Sequence, residues 1–148
     1  MIGVYIHIPF CRNICTYCDF CKVFYNKKYV YKYLLELEKE IKSRYEGEVV
    51  KSIYIGGGTP SALDKEELEK LFEIIKIFKL DNEYECTIEV NVRDINREKL
   101  EMFKMGGINR VSIGVQSFDK RVREILGRSY YSDCEIISNI KIVKEYFK

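Results

Sequence analysis

Cys11, Cys15 and Cys18 stand in a C-x3-C-x2-C spacing directly after a short apolar run, Val4-Tyr5-Ile6 continuing to Ile8, that reads as a strand. The spacing puts three thiols on one loop at a strand's end. Three thiolates so close together can grip one face of an iron–sulfur cube, whose usual complement is four cysteines. One iron is then left without a protein ligand and open to a small molecule, by the logic that separates catalytic from structural zinc sites. A zinc site is the first competing reading, but it needs a second cysteine pair, and Cys86 and Cys134 are single residues in apolar stretches that read as small core residues. The second is a redox dithiol, Cys18 with Cys21 or Cys15 with Cys18. Cys21 stands as a spare thiol or a substitute ligand.

Other residues suited to chemistry follow further along. Gly56-Gly57-Gly58-Thr59-Pro60 closes an apolar run, and three glycines strip away side chains so that a ligand can approach the backbone. Glu89 beside Asn91 can accept from an ammonium or a ribose hydroxyl, and Gln116 can do the same. His7, the only histidine, alternates with Tyr5 along the first strand. It is a candidate general base and equally a candidate hydrogen-bonded structural residue.

The elements that must position these residues follow a repeating plan. Val30, Leu34, Leu37 and Ile41 recur at helical spacing through a Lys/Glu-rich stretch ending near Gly47. A second strand, Val49-Val50 with Ile53-Tyr54-Ile55, runs into the glycine turn. Its helix is opened by Asp64 and Glu67 as a capping box, with Leu63 stapled on Leu68. The third unit has a strand over Glu85 to Val92 and a helix capped by Asn96 and closed at Gly106-Gly107. The fourth has a strand over Arg110 to Val115 and a short helix near Val122 to Leu126. A break at Gly127 precedes a last helix opened by Ser132 with Glu135, stapled by Tyr131 on Ile136. Four strand–helix units predict an α/β fold with a parallel sheet and helices on its outer face. In such sheets ligands sit at the carboxyl ends of the strands. The cysteines, the glycine turn, Glu89 with Asn91, and Gln116 with Ser117 all fall there.

A chain of 148 residues suffices for one domain. Its net charge of +2 comes from interspersed acids and bases, which argues against nucleic acid or an anionic membrane as the main partner. No apolar run approaches the length of a membrane span, and the N-terminus runs straight into a strand, so a cytoplasmic protein without a leader is expected. A reducing compartment also suits six cysteines held as thiols.

Taken together, HIPFCxxxCxYCDF at His7 to Phe20, GGGTPS at Gly56 to Ser61, TIEVN at Thr87 to Asn91, RVSIGVQSFD at Arg110 to Asp119 and LGR at Leu126 to Arg128 resemble the radical S-adenosylmethionine (SAM) family of oxygen-independent coproporphyrinogen III oxidases and related haem chaperones. The resemblance implies that Cys11, Cys15 and Cys18 hold a [4Fe–4S] cluster whose fourth iron takes the amino and carboxylate groups of SAM. It implies a SAM pocket lined by Tyr5, Tyr17, Gly57, Gly58, Thr59, Glu89, Gln116 and Arg128. It further implies reductive cleavage of SAM to a 5′-deoxyadenosyl radical, a tetrapyrrole substrate or haem, and a reductant protein such as flavodoxin or ferredoxin.

Two departures bear on what is carried over. Phe20 stands where the oxidases of that family typically carry a further cysteine, and the chain begins shortly before Cys11, which resembles the haem-chaperone branch. Family members are also more than twice as long, so residues 1–148 correspond to a truncated core domain, four units of a partial (β/α)6 barrel without its last strands and C-terminal domain. A haem-binding carrier and an inactive remnant therefore stand beside the enzyme as alternatives. A sheet cut after four units is expected to expose the edge of its fourth strand and apolar side chains on its inner face, and so to self-associate or recruit a partner chain.

Overall fold

The computed structural model describes residues 1–128 and 130–147. Its elements in chain order are β1 (Ile2–Ile8), β2 (Phe10–Cys11), β3 (Val23–Phe24), α1 (Lys27–Arg44), β4 (Val50–Gly57), α2 (Lys65–Ile75), β5 (Leu80–Asn91), α3 (Arg97–Met105), β6 (Arg110–Gly114), α4 (Lys120–Ile125) and α5 (Asp133–Tyr146). One-turn helices at Pro60–Ala62 and Val92–Asp94 follow β4 and β5. The long strands form one parallel sheet in the order β1-β4-β5-β6, the strand–helix plan read from the periodicity.

Helix starts follow local side-chain chemistry. Asp64 and Glu67 close a reciprocal capping box on α2, and Ser132 and Glu135 do the same on α5. Asn96 caps α3 through the Lys99 N–H, and Gly107 leaves that helix with φ +86°. Leu63 and Leu68 are both fully buried, and Tyr131 packs with Ile136 and Val92 in a small second cluster, as the staples require.

Strand limits depend on pairing with distant chain, and several moved. β5 begins at Leu80 rather than Glu85, because its first residue pairs with Val50 before an irregularity resets the register to Ser52↔Glu85. The charged residues inside that irregular stretch hid it from the alternation. β6 ends at Gly114, since the Val115 N–H turns back to the Ile113 carbonyl. The β2–β3 bridge was not anticipated; it pairs Phe10 with Val23 and Cys11 with Phe24 and pinches the cysteine loop at its base.

One face of the sheet carries Ile6, Ile8, Ile53, Ile55, Cys86, Ile88 and Val90, all buried against Val30 and Leu34 of α1, Leu68 and Leu71 of α2, and Leu100 and Phe103 of α3. Its other face is set by register: Tyr5, Tyr54, Thr87 and Arg110 form one row, and His7, Gly56, Glu89 and Ser112 would fall in the next. The expectation of apolar side chains on this inner face is thereby corrected. It is polar and aromatic, with an Arg110–Glu85 ion pair at 3.3 Å, and no helix among the described residues packs on it. Cys134 is a second correction. It is exposed on the first turn of α5, whose buried side is taken by Ile136. Cys86, by contrast, is wholly buried, and burial alone pushes its thiol up to about 12, as a core residue requires.

Candidate functional site

The cysteine loop leaves the sheet at Cys11 and returns at Val23, where the Val23 N–H donates to the Pro9 carbonyl and the Tyr25 N–H to the Cys11 carbonyl. Arg12 fastens the loop from outside. Its guanidinium donates twice to the Ala62 carbonyl, at 3.1 and 2.8 Å, and lies 4.1 Å over the Tyr25 ring, whose hydroxyl is in turn held by Glu67. From the C-terminal side, Lys22 donates to the carbonyls of Cys18 and Phe20. Arg12 and Lys22 thus hold the loop through carbonyls and an aromatic ring, without engaging its thiols. Cys11 is buried and Cys15 and Cys18 are half-buried. Burial raises the Cys11 thiol, the Thr59 hydroxyl at 3.3 Å pulls it back, and the neighbouring Cys18 and Cys15 raise it again.

Beside this loop lies a cavity of about 360 Å3 lined by Tyr17, Cys18, Gly57, Gly58, Thr59, Glu89, Gln116 and Arg128, among others. Seven of the eight residues expected at a SAM pocket line this one space; Tyr5 does not. It sits on the inner face, stacked on Tyr54 with ring centroids 6.1 Å apart. Its hydroxyl lies 3.0 Å from His7 Nδ1. His7 Nε2 lies 2.8 Å from the Cys21 carbonyl, which only accepts, so Nε2 carries the proton and Nδ1 accepts from Tyr5. His7 therefore ties the end of the cysteine loop to β1, the structural alternative raised for it.

The glycine turn is shaped by what touches it. A Cβ on Gly58 would lie 2.6 Å from the Pro9 carbonyl carbon, and one on Gly57, at φ +110°, would lie 2.4 Å from the His7 ring. Glu89 is aimed by the Tyr54 hydroxyl at 2.7 Å and the Gly57 N–H at 3.1 Å. Gln116 holds a left-handed backbone at φ +69°, a conformation that non-glycine residues adopt mostly where surrounding structure imposes it. Arg128 donates to the Gly114 carbonyl at 3.0 Å, stands 5.9 Å from the Tyr17 ring centre, and keeps a buried Nε with no partner among the described residues.

Pattern reasoning missed Phe20, Ser112 and Gly114 in the lining. The inner-face alternation of β6 was the signal available for the last two. It also missed the buried brace beneath the loop, in which Ser61 donates to Asp94 at 2.7 Å and Lys99 donates to the Ser61 carbonyl at 2.6 Å. No local signal marks residues so far apart in the chain.

Three free thiols on one short loop, Cys11, Cys15 and Cys18, are the donor chemistry a cube takes, one thiolate per iron. The orphaned Arg128 Nε, the Glu89 carboxylate and the bare backbone of the glycine turn suit a ligand bearing both carboxylate and ammonium groups.

A parallel strand–helix sheet with a three-cysteine loop after its first strand defines the class, and the comparisons agree. The family model of the Radical SAM superfamily matches residues 5–148, and the chain belongs to that superfamily. Membership implies a [4Fe–4S] cluster and SAM. The chain is 43% identical over 133 residues to the heme chaperone HemW of Bacillus subtilis, covering 86% of this chain and 35% of that protein. It is 34% identical over 132 residues to the oxygen-independent coproporphyrinogen III oxidase of Escherichia coli, covering 86% of this chain and 29% of the relative. The solved structure of the coproporphyrinogen III oxidase HemN from Escherichia coli superposes with a TM-score of 0.87 at 32% identity, covering 97% of this chain and 34% of that one. The chain spans about a third of the length of these relatives.

Proposed function

We propose that Cys11, Cys15 and Cys18 hold the [4Fe–4S] cluster and that Tyr17, Gly57, Gly58, Thr59, Glu89, Gln116 and Arg128, with Tyr5 at the margin, hold SAM, as the core portion of a tetrapyrrole-directed radical SAM protein. The observation that carries this is the meeting of the cysteine loop and the glycine turn around one cavity. When bound and reduced, the cluster supplies the electron that cleaves the sulfonium of SAM. This chain's residues do the rest. The glycine turn presents backbone groups to the ligand, Glu89 accepts from its ammonium, Arg128 Nε donates to its carboxylate, and Tyr17 with Phe20 shields the cavity mouth. Within the whole protein the substrate is a porphyrinogen whose propionates are oxidatively decarboxylated, and the electron donor is of the flavodoxin or ferredoxin type. Six free cysteines suit a reducing cytoplasm, and no helix among the described residues is long and apolar enough to cross a membrane.

Anaerobic reconstitution tests the cofactor reading. About four irons per chain and a spectral change on adding SAM are expected; fewer than about three irons, or no response to SAM, would sink it.

A second reading, carriage of haem without porphyrin decarboxylation, is favoured by Phe20 and by the identity to HemW. Phe20 is 68% exposed at the cavity and cannot ligate iron. Haem titration run beside a SAM-cleavage assay separates the two. Release of 5′-deoxyadenosine together with decarboxylated porphyrin excludes the carrier reading.

A further inference from the structure

Thr59 occupies a position that neither the pocket nor the cysteine spacing accounts for in full. Its hydroxyl donates to Cys11 Sγ at 3.3 Å, across the junction between the glycine turn and the cysteine loop. The contact is built rather than incidental. The Thr59 N–H donates to the Phe10 carbonyl at 2.9 Å, the Thr59 carbonyl accepts from the Ala62 N–H at 2.9 Å, and Pro60 follows with its fixed φ. These bonds hold the residue on both sides, so its side chain reaches the sulfur without adjustment. Cys11 is 5% exposed, while Cys15 and Cys18 are open enough to be reached by water. Water therefore cannot readily replace the hydroxyl at Cys11, and a lost donor there stays lost. Lys22 acts on Cys11 through its charge alone, its ammonium donating to the carbonyls of Cys18 and Phe20, whereas Thr59 bonds the sulfur directly.

We propose that Thr59 sets the reduction potential of the cluster through Cys11, a role that rests on the cluster reading above and adds to it. Hydrogen bonds to ligand sulfurs draw electron density from the thiolate and stabilise the more negative, reduced cluster, which raises its potential. Thr59 acts through Cys11 and is a positioning residue. A hydroxyl at this place makes the cluster easier to reduce by a moderate biological donor.

The test is a redox titration of the reconstituted chain with dithionite, followed by the electron paramagnetic resonance signal of the reduced cluster, in wild type, Thr59→Val and Thr59→Ser. Thr59→Val keeps the shape and removes the donor. At equal iron content its potential should fall, with the reduction equilibrium shifted by up to about tenfold, tenfold being about 59 mV for a one-electron couple. Thr59→Ser restores the donor and should return the potential toward wild type. An unchanged potential in Thr59→Val, or a serine variant that behaves as the valine one does, overturns the inference. If the valine variant does not load iron, Thr59→Ala, which also lacks the donor, takes its place in the titration, and a potential unchanged from wild type overturns the inference. A wild-type chain that takes up no cluster overturns the cluster reading itself, a result distinguishable because no variant is then needed to see it.

Discussion

Single atoms decide the site at several positions, and the cysteines separate most sharply. Cys15→Ala removes one of three thiolates and should abolish cluster loading, read as iron content and the charge-transfer absorbance. Cys86→Ala removes a sulfur from the wholly buried outer face of β5 and should keep the cluster, at a cost in stability of about 1 kcal/mol for the small cavity. Loss of iron in both variants would show that the cysteine loop is not the ligand source. The glycines allow a second contrast. At Gly58 an added methyl meets the Pro9 backbone at 2.6 Å and cannot be accommodated by a rotamer change, whereas at Gly47 it meets nothing within 4 Å and suffers only from φ +91°. Gly58→Ala should therefore abolish the SAM-induced spectral change and lower stability by about 1–3 kcal/mol. Gly47→Ala should cost about 1–2 kcal/mol and leave the SAM response intact. The cysteine loop and the glycine turn were legible as places in the fold because each is announced by local spacing. The Ser61–Asp94–Lys99 brace and the Thr59–Cys11 bond were not, because each joins residues from different units.

At the scale of elements, helix starts were readable where strand limits were not, for the same reason of locality. Asp64 and Glu67 lie within one turn and cap each other, so four residues of sequence announce the start of α2. The β2–β3 bridge and the early start of β5 exist only through partners elsewhere. The α2 cap also carries a pH dependence. Burial opposes ionisation of Asp64, but the Glu67 N–H and then the Lys27 ammonium outweigh it and hold the carboxyl below its ordinary value. A carboxyl with a depressed folded-state pKa contributes its stability in full above the unfolded value, about 4, and loses it as pH falls through the folded value. Asp64→Ala should thus lower stability by about 1 kcal/mol at neutral pH. The difference from wild type should shrink steadily below about pH 4. Urea unfolding at a series of pH values measures it. A difference that stays constant down to about pH 2 would show that the charged form of Asp64 is not what caps the helix.

For the whole molecule, the sheet order leaves two edges, β1 and β6, and they are not equally guarded. On β1 the Tyr33 hydroxyl from α1 donates to the His7 carbonyl, and α1 packs alongside. On β6 the Gly114 carbonyl is taken by Arg128 and the Ile113 carbonyl by the Val115 N–H, so among the described residues protection falls at the carboxyl end of that strand. Its first half, Arg110 to Ser112, keeps backbone groups facing away from β5 with Arg110 as the only charge. Such a segment pairs with whatever strand is available. The polar inner face removes one driving force foreseen for association, the burial of apolar side chains, and leaves the open backbone as the remaining one. The 148-residue chain alone should therefore sediment as a concentration-dependent oligomer joined through β6. Ser112→Lys places an inward-pointing charge on that strand without touching the outer core, the device by which natural edges resist pairing. It should shift the chain toward monomer. A monodisperse wild-type monomer that unfolds cooperatively, or a Ser112→Lys variant as associated as wild type, would show that β6 is not the adhesive edge.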